Sequence, residues 1–451
     1  MIGLAPEAIA GSFGGEIAAR GQAGEPRRAV IDSREAAAGD LFVGLRGERA
    51  DGGEHAAAAL AAGAWGAVVD SDRAASLAAE GHRGWVFAAP DPLLALQRTA
   101  RAVRRALGCP VVGITGSTGK TSVKDITAAL LPGRVHASPE NFNTEIGLPL
   151  TVCAAPADTD VLVLEMAMRG LGQIAELCGI AEPDVAAITN VGPVHLELLG
   201  TVEAIAEAKA EIVAGLGADG LAVVPADAEA LEPHLADELR TITFGDGGDV
   251  FARASAPAGD GLRAEIVTPG GAAEFEFPFD QAHNLVNATC AVAIGTALGV
   301  PVGEMARRAP GISFSRLRGE VVRLPAGSVL INDCYNANPI SMQAALDHLA
   351  SLAPSGNAIA VLGGLAELGP DGPKYHRSAA AHARELGIGP IVGVGELARE
   401  YSPDEWASDP DAAVDLVAGL LGDGDAVLVK GSRSVGLERF TEGLRARVGE
   451  G

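Results

Sequence analysis

The sequence predicts an α/β protein of three domains. Its 451 residues exceed what one hydrophobic core usually holds, and 48% of them are hydrophobic. Short apolar runs typical of buried strands alternate with longer stretches typical of helices along most of the chain. A glycine-rich segment near residue 115 joins one such strand to a helix. We therefore expect a small N-terminal α/β domain (residues 1–88), a central parallel-sheet domain (89–312) and a C-terminal α/β domain (313–451).

The first domain combines short β-like runs with an alanine-rich helix near residues 54–63. Ser33 and Arg34 follow the first of these runs, at a turn. Their side chains could grip a diphosphate or a base, although residues of these types at turns are more often solvated. The sequence leaves both interpretations open. The predicted strands are residues 29–31, 41–43, 66–69 and 85–87.

The central domain opens with a strand, a glycine turn and the start of a helix. Gly116 and Gly119 leave room for backbone N–H groups to wrap a phosphate chain. Lys120 would reach the outer phosphates, and the Thr121 hydroxyl would ligate Mg²⁺. This arrangement predicts a nucleoside triphosphate site formed by Gly116, Ser117, Thr118, Gly119, Lys120 and Thr121.

The loop departs from the strict pattern G-x-x-x-x-G-K-[ST]. Ile114 stands where the first glycine should be, and Gly113 lies one residue too early. The alternative is a glycine-rich turn that merely contains Gly-Lys-Thr. The strand before the loop and the helix after it favour the nucleotide site, because that context is what confirms such a motif.

Two polar side chains follow other strands of the predicted central sheet. Glu165 ends the apolar run at residues 161–164, and His195 follows the run at 184–188. Ligands of open α/β sheets bind at the carboxyl ends of strands, so Glu165 could hold Mg²⁺ against phosphates and His195 could be a second ligand. Glu165 could instead cap a neighbouring helix, and a lone histidine is often structural.

The glycine-rich, β-leaning residues 241–280 predict an antiparallel edge or insert.

Lys209 lies on the apolar face of a predicted helix at residues 201–216. A lysine on a buried face usually extends its amine to solvent, but the alternative is a functional ammonium or a modified lysine. The apolar face is formed by Val202, Ile205, Ile212 and Leu216, while Glu203, Glu207 and Glu211 are expected on the solvated side.

The third domain again alternates strands and helices. Asp333 follows its first strand and opens an asparagine-rich turn. That turn could clamp ribose hydroxyls or a polar substrate, or it could form an Asx-turn and a helix cap. Lys430 follows the last strand, so a second positively charged loop could face the nucleotide. The predicted strands are residues 329–331, 358–362, 391–394 and 426–429.

Composition narrows the classes of partner. With 34 Lys and Arg against 58 Asp and Glu the net charge is −24, which disfavours nucleic-acid or membrane-surface binding. The first residues contain no basic segment followed by an apolar core, and no run approaches 18 apolar residues, so we expect a cytoplasmic protein without membrane insertion. The five cysteines are scattered and without C-x-x-C spacing, which predicts small buried side chains instead of disulfides or a zinc site.

Together these stretches resemble the Mur ligases of peptidoglycan synthesis, and among them the group that adds D-alanyl-D-alanine. The resemblance covers nearly the whole chain, and the displaced first glycine is that family's own variant of the phosphate loop. It rests on GITGSTGKTSVKD, ENFNTEIGLPLTV, LEMAMRGLGQI, NVGPVHLELLG, AKAEIV, AHNLVNA, INDCYNANPISM, VLGGLAELG and VLVKGSR.

The resemblance implies an N-terminal domain for a UDP-sugar, a central P-loop ATPase domain and a Rossmann-like C-terminal domain that closes over ATP and binds the incoming dipeptide. It implies an ADP-forming acid–D-amino-acid ligase. ATP would convert the carboxylate of UDP-N-acetylmuramoyl-tripeptide to an acyl phosphate, which the amine of D-alanyl-D-alanine attacks. Two Mg²⁺ ions and a carbamylated Lys209 are expected to assist. We expect a monomer.

The resemblance also assigns roles to individual residues. The catalytic residues would be Lys120, Lys209, His195 and Glu165. The metal ligands would be Thr121, Glu165, His195 and carbamylated Lys209. Asn287, Arg318 and Asp333 would contact the nucleotide together with the phosphate loop. The substrate-binding residues would be Ser33, Arg34, Asn143, Thr144, Tyr335, Asn336, Asn338 and Lys430.

Three positions depart from the family pattern. Thr144 stands where a second asparagine is common, and Arg169-Gly170-Leu171 replaces the more usual Asn-His-Pro. These two changes affect details of metal and substrate contacts. Gly364 replaces the usual aspartate before the Ala-Glu-Leu-Gly segment, which weakens any role for a carboxylate at that position. None of them removes a residue that the chemistry needs.

Other enzymes remain as alternatives, namely another Mur ligase that adds diaminopimelate or lysine, or a ligase like folylpolyglutamate synthase. Folylpolyglutamate synthase carries its phosphate loop much nearer the N-terminus. The diaminopimelate-adding ligase carries a D-N-P-R motif that is missing from this chain. A regulatory P-loop GTPase would need an N-K-x-D motif, and the chain contains no Asn-Lys pair. The third residue of the peptide, diaminopimelate or lysine, stays open.

Overall fold

The structure is a computed structural model that describes residues 3–47, 50–259, 261–352 and 354–449. Within these ranges the main strands form sheets of five, six, three and six strands. The predicted α/β class is therefore confirmed. No helix in the same ranges is long and apolar enough to cross a membrane.

The N-terminal unit is one five-stranded sheet with helices packed against it. Its elements are α1 (Pro6–Phe13), β1 (Glu16–Ala19), β2 (Arg28–Val30), β3 (Asp40–Val43), α2 (Ala56–Ala61), β4 (Gly66–Val69), α3 (Ser71–Glu80) and β5 (Trp85–Ala88). The strand order is β1-β5-β4-β3-β2, with β1 antiparallel to β5 and the other pairs parallel. The four predicted strands are confirmed. The sequence did not predict β1, whose residues are all exposed or half-buried and therefore lack a continuous apolar run.

The central sheet has six parallel strands in the order β11-β10-β9-β6-β8-β7. From β6 the chain runs to β7 on one side of the sheet, and from the neighbouring strand β9 it runs to β10 on the other side. The carboxyl ends of β6 and β9 thus flank a switch point, where open α/β sheets bind ligands. The elements are α4 (Pro92–Leu107), β6 (Val111–Thr115), α5 (Lys120–Leu130), β7 (Val135–Ala137), α6 (Gly147–Ala154), β8 (Val161–Glu165), α7 (Gln173–Ala181), β9 (Val185–Ile188), α8 (Leu196–Leu199), α9 (Val202–Ala214), β10 (Leu221–Pro225) and β11 (Arg240–Phe244).

A separate antiparallel sheet follows the central one, as predicted for part of residues 241–280. It consists of β12 (Phe251–Ala258), β13 (Gly261–Thr268) and β14 (Gly271–Phe277), and α10 (Ala282–Ala297) and α11 (Val302–Arg308) follow it. The prediction was wrong for Arg240–Phe244, because β11 pairs in parallel with β10 and extends the central sheet.

The C-terminal unit is a six-stranded sheet in the order β15-β16-β20-β17-β18-β19, parallel except for β15. Apolar clusters cover both of its faces, which is why its parallel strands read as continuous apolar runs. Its elements are β15 (Glu320–Arg323), β16 (Val329–Asn332), α12 (Pro339–Ser351), β17 (Ala358–Gly363), α13 (Gly372–Glu385), β18 (Ile391–Val394), β19 (Glu405–Ala407), α14 (Pro410–Leu420), β20 (Ala426–Lys430) and α15 (Glu438–Val448).

The three units are joined in different ways. One apolar cluster runs from the N-terminal sheet through α4 into the central sheet. The C-terminal unit has clusters of its own. It meets the central unit through polar contacts such as Asn338 to Ser117 and Glu367 to His195, and Leu196 of α8 packs against one of its clusters. Units that keep separate cores in this way can move relative to each other. All five cysteines are free and buried, as predicted.

Candidate nucleotide and metal site

The loop between β6 and α5 requires glycine at two positions. Gly116 and Gly119 have φ values of 152° and 80°. A Cβ atom at Gly116 would lie 1.8 Å from the Thr189 hydroxyl, and one at Gly119 would lie 2.5 Å from the Asn287 side-chain oxygen. Directly after this loop, α5 begins at Lys120. The first N–H groups of a helix have no intrahelical partner, so this end of α5 can bind an anion.

Asn190, which follows β9, holds the same loop from the side. Its Oδ1 atom accepts hydrogen bonds from the backbone N–H groups of Ser117, at 3.0 Å, and Thr118, at 2.9 Å. The Ser117 hydroxyl also donates to Gly192 O at 3.0 Å and accepts from Gly192 N at 2.9 Å. Sequence reasoning assigned no role to Asn190. Its position directly after a strand beside β6 was the available signal.

Glu165, the last residue of β8, lies in the crevice with Thr121. The Thr121 hydroxyl donates to Glu165 Oε2 at 2.9 Å, and the Asn143 amide donates to Glu165 Oε1 at 2.7 Å. The backbone N–H of Glu165 donates to the Ser138 hydroxyl at 3.1 Å. Glu165 is only 2% exposed. The alternative in which this carboxylate caps a helix is therefore wrong.

Lys120 and Arg318 bring positive charge to this carboxylate from two units. Lys120 Nζ donates to Gly116 O at 2.8 Å, so its side chain folds back over the loop. Burial lowers the Lys120 pKa and the Glu165 carboxylate opposes that shift, while the Arg318 charge lowers the pKa further. Arg318 Nη2 donates to the Thr121 hydroxyl at 3.0 Å. Groups from the central and C-terminal units thus meet at Thr121.

Lys209 on α9 does not extend its amine to solvent. It is 2% exposed, and burial together with the charge of Lys120 lowers its pKa well below the usual value for lysine.

Glu211, expected on the solvated side of the same helix, is half-buried. Its carboxylate accepts from the backbone N–H groups of Gly172, at 2.5 Å, and Ala175, at 3.0 Å. That carboxylate therefore caps the start of α7.

His195 is bound across the interface between the central and C-terminal units. Its Nδ1 atom lies 2.5 Å from Glu367 Oε2. Burial lowers the His195 pKa, the Glu367 carboxylate opposes this, and the charges of Lys120 and Lys209 lower the pKa further. His195, Lys120 and Lys209 are therefore electrostatic neighbours. The Glu367 side chain was not among the predicted site residues, although its Ala-Glu-Leu-Gly segment carried the family resemblance.

Asp333 and Lys430 form a buried ion pair. Lys430 Nζ lies 2.5 Å from Asp333 Oδ2 and donates to Asn336 O at 3.2 Å. Lys430 is the last residue of β20 and is 2% exposed, so it lies on a strand with its charge compensated, not on an open loop as predicted. On the central side, Asn287 donates to Asn284 Oδ1 at 3.0 Å and lies against Gly119.

The asparagine-rich turn after β16 forms the helix cap that was one of the two interpretations left open by the sequence. Asn338 caps α12 through a reciprocal contact with Ser341, and its amide also donates to Ser117 O at 3.2 Å. The Arg318 guanidinium lies 4.0 Å from the centre of the Tyr335 ring. In the same turn, Asn336 Oδ1 accepts from the Ala337 N–H at 2.9 Å and the Arg433 N–H at 3.3 Å. The turn is a helix cap that also touches the phosphate loop.

Two predicted substrate residues, Arg34 and Thr144, have local hydrogen-bond partners. Arg34 pairs with Asp32, its Nε atom lying 2.9 Å from Asp32 Oδ1, and Ser33 lies between these two residues, half-buried. The Thr144 hydroxyl accepts from Gly147 N at 3.3 Å, at the start of α6. The structure leaves these residues outside the cluster around Glu165.

The residues around Thr121 fit a hard cation held together with a nucleotide. In the part of the chain that the structure describes, no three His, Cys, Asp or Glu side chains converge as a metal site. Mg²⁺, however, is usually held by one or two carboxylates, waters and substrate phosphates. Thr121 Oγ1 and Glu165 Oε2, 2.9 Å apart at the phosphate loop, supply oxygen ligands of that kind.

The fold and this site define a P-loop protein whose C-terminal α/β unit contacts the phosphate loop and the start of α5. Residues 114–295 match the Mur ligase middle domain, and residues 317–433 match the Mur ligase, glutamate ligase domain. The chain is 35% identical over 427 residues to the UDP-N-acetylmuramoyl-tripeptide–D-alanyl-D-alanine ligase of Bacillus subtilis (strain 168), with 92% of each chain covered.

Solved structures agree with the sequence relatives. The crystal structure of MurF from Acinetobacter baumannii has a TM-score of 0.87 at 27% identity, over 98% of both chains. MurF from Thermotoga maritima in complex with ADP has a TM-score of 0.81 at 30% identity, over 94% of this chain and 98% of that one. The chain belongs to the Mur ligase family, in the group of the UDP-N-acetylmuramoyl-tripeptide–D-alanyl-D-alanine ligases, and the predicted resemblance is confirmed.

Proposed function

We propose that this chain is an ATP-dependent, ADP-forming ligase that joins UDP-N-acetylmuramoyl-tripeptide to D-alanyl-D-alanine for peptidoglycan synthesis. The relatives from Bacillus subtilis and Synechocystis are named as UDP-N-acetylmuramoyl-tripeptide–D-alanyl-D-alanine ligases. The observation that carries the proposal is the cluster at Thr121, where Glu165 of the central unit and Arg318 of the C-terminal unit meet at the start of α5. A site of this kind can collect the charge of a transferring phosphoryl group.

The chemistry follows from the poor reactivity of a carboxylate toward an amine. Transfer of the γ-phosphoryl group of ATP to the tripeptide carboxylate gives an acyl phosphate and ADP. The amine of D-alanyl-D-alanine then attacks the acyl carbon, loses a proton and expels phosphate. Lys120 would leave Gly116 O for the phosphates, and Arg318 would neutralise charge on the transferring group.

We assign Mg²⁺ to two sets of residues, Thr121 with Glu165, and His195 with a carbamylated Lys209. When bound, Mg²⁺ would neutralise charge on the phosphates. The lowered pKa of Lys209 supports the modification, because only a neutral amine attacks CO₂. The nitrogen forms a bond to carbon, one proton is lost, and a carbamate anion results. That anion replaces the repulsion among Lys120, Lys209 and His195 with attraction.

The remaining roles follow the same proposal. The units at residues 1–88, 89–312 and 313–451 would serve the UDP-sugar, ATP and the dipeptide, respectively. We place the enzyme in the cytoplasm as a monomer, where ATP and soluble precursors are available. Asn287 and Asp333 would contact the nucleotide, and the substrates would be held by Ser33, Arg34, Asn143, Thr144, Tyr335, Asn336, Asn338 and Lys430.

Phosphate release tests the proposal. We expect turnover only when ATP, a UDP-N-acetylmuramoyl-tripeptide and D-alanyl-D-alanine are all present. Separate reactions with the diaminopimelate and lysine tripeptides would identify the third residue. A Lys120→Ala variant measures background ATP hydrolysis. Equal turnover with single amino acids on a shorter precursor would contradict the proposal and favour another ligase of the family.

A further inference from the structure

Glu367 reaches from the C-terminal unit onto the central unit through both its side chain and its backbone. Its Oε2 atom lies 2.5 Å from His195 Nδ1, and its Oε1 atom lies 3.8 Å from Arg169 Nε. Its backbone carbonyl accepts from Glu197 N at 3.3 Å. Among the residues that the structure describes, only Glu367 hydrogen-bonds the His195 side chain. The contact therefore exists only while the two units are together.

Both ends of this contact have an unusual backbone. His195 has a φ of 53° and Glu367 a φ of 62°, in the left-handed region that residues with a Cβ atom rarely adopt. Such a conformation is unfavourable and persists only where the surrounding structure holds it. The two residues thus meet at positions where both backbones hold an unfavourable conformation.

Position 364 of the same segment is tightly packed. A Cβ atom at Gly364 would lie 2.5 Å from the Cβ atom of Leu397. Glu367, three residues later, supplies the carboxylate of this segment that contacts the central unit.

We propose that Glu367 is a positioning residue for His195, supplied by the opposite domain when the enzyme closes. The Nδ1–H group of His195 donates to the carboxylate, which leaves the lone pair of Nε2 free for Mg²⁺. Histidine ligands of metals commonly donate their other N–H to a carboxylate, which fixes the tautomer and the ring orientation. The inference deepens the proposed function and rests on the metal-ligand role that we assign to His195 there.

The arrangement makes domain closure and metal binding favour each other. In an open form His195 loses the acceptor at Nδ1, so the proton can move to Nε2 and block the metal. Closure restores the tautomer that binds. By linkage, a metal at His195 must then stabilise the closed form by the same free energy.

Two measurements that need no turnover test this. The first is ¹⁵N NMR of histidine-labelled protein, in which the His195 signal, identified by its loss in His195→Gln, should report a proton on Nδ1. In Glu367→Ala that proton should redistribute to Nε2. The second is Mn²⁺ titration followed by electron paramagnetic resonance, with a non-hydrolysable ATP analogue present. Glu367→Ala should weaken Mn²⁺ binding about tenfold, because loss of such a partner typically costs 10–100-fold.

Two further variants separate positioning from a general structural effect. Glu367→Gln keeps an oxygen acceptor without the charge and should lie between wild type and Glu367→Ala, and it replaces the alanine variant if that one does not fold. Asp371→Ala removes an exposed carboxylate from the same unit and should match wild type.

Wild-type Mn²⁺ affinity in Glu367→Ala would overturn the inference, whether or not the tautomer changes. Failure of the three-substrate reaction in the wild-type enzyme would refute the proposed function instead, so the two failures are distinguishable.

Discussion

The amine of Lys209 lies 2% exposed beside a second ammonium, that of Lys120, and both the burial and the neighbouring charge lower its pKa. The amphipathic helix α9 thus places Lys209 where the usual charged form of a lysine is unfavourable. Because the folded-state pKa lies well below the usual value, the neutral amine is present at lower pH than in a free lysine. The proposed carbamylation, which needs the neutral amine, is therefore more favourable here than at a free lysine.

We predict that Lys209→Ala lowers phosphate release by roughly a hundredfold, as expected for loss of one group that stabilises charge in the transition state. Added acetate should restore part of the activity, because the free carboxylate can occupy the vacated anionic site. The control is Lys374→Ala, which removes an exposed lysine from α13 and should be unaffected by acetate. Full activity in Lys209→Ala, or no response to any short carboxylate while the fold and ATP binding persist, would refute the carbamate.

At the scale of elements, charges as well as apolar contacts hold α4 to the neighbouring helix α7 of the central unit. Arg101 and Arg105 of α4 donate to Glu182, the residue that ends α7, at distances of 2.6 to 2.9 Å. These hydrogen bonds, chiefly the one from Arg105, lower the pKa of Glu182 from its ordinary 4.5 to about 2. The contact joins two helices through one carboxylate.

The contacts of Glu182 with Arg101 and Arg105 make the free energy of unfolding depend on pH. The folded-state pKa is depressed, so the stabilisation is present above the ordinary pKa of 4.5 and is lost as pH falls toward 2. We predict that Glu182→Gln lowers the free energy of unfolding by about 1 kcal/mol at pH 7, allowing for solvent screening. The difference should fall to about half near pH 3.5. Urea denaturation at both pH values measures it, with Glu203→Gln, an exposed residue of α9, as the control. A difference independent of pH would show that the ion pair is not its source.

At the scale of the whole molecule, the C-terminal unit is held closed by a few polar contacts near the nucleotide crevice. Asn338 donates to Ser117 O at 3.2 Å, Arg318 donates to Thr121 at 3.0 Å, and the backbone N–H of Ser315 donates to Asp125 Oδ2 at 2.8 Å. The first two contacts lie on the phosphate loop and the start of α5, where the proposed ATP would bind. Ligands there would therefore add contacts between the central and C-terminal units in the closed form.

We predict that small-angle X-ray scattering detects compaction when an ATP analogue and the UDP-tripeptide are added together, because under the proposed function the bound substrates would join the units. Asn338→Ala should require higher ligand concentrations for the same compaction, since it removes one contact to the loop. Val321→Ala, a substitution at an exposed position of β15, is the matched control. An unchanged radius of gyration with both ligands bound would contradict domain closure.

The sequence alone determined those features that depend on neighbours along the chain. The phosphate loop at residues 115–121 was predictable because a strand, two glycines and a helix start are contiguous. Glu165 was predictable because the carboxyl end of a parallel strand is a place where ligands bind. Half-exposed elements such as β1 escaped prediction because they lack the continuous apolar run or clear periodicity that signals a strand.

The tertiary structure decided which distant polar groups meet. His195 and Glu367 are 172 positions apart, and Lys430 and Asp333 are 97 positions apart. No local pattern specifies either pair, because each depends on how strands of one sheet, or two separate units, pack together. The same holds for Lys209, whose helical pattern favoured a solvated amine and left a functional one as the alternative. The packing around α9 buries this lysine, which the pattern along the chain did not predict.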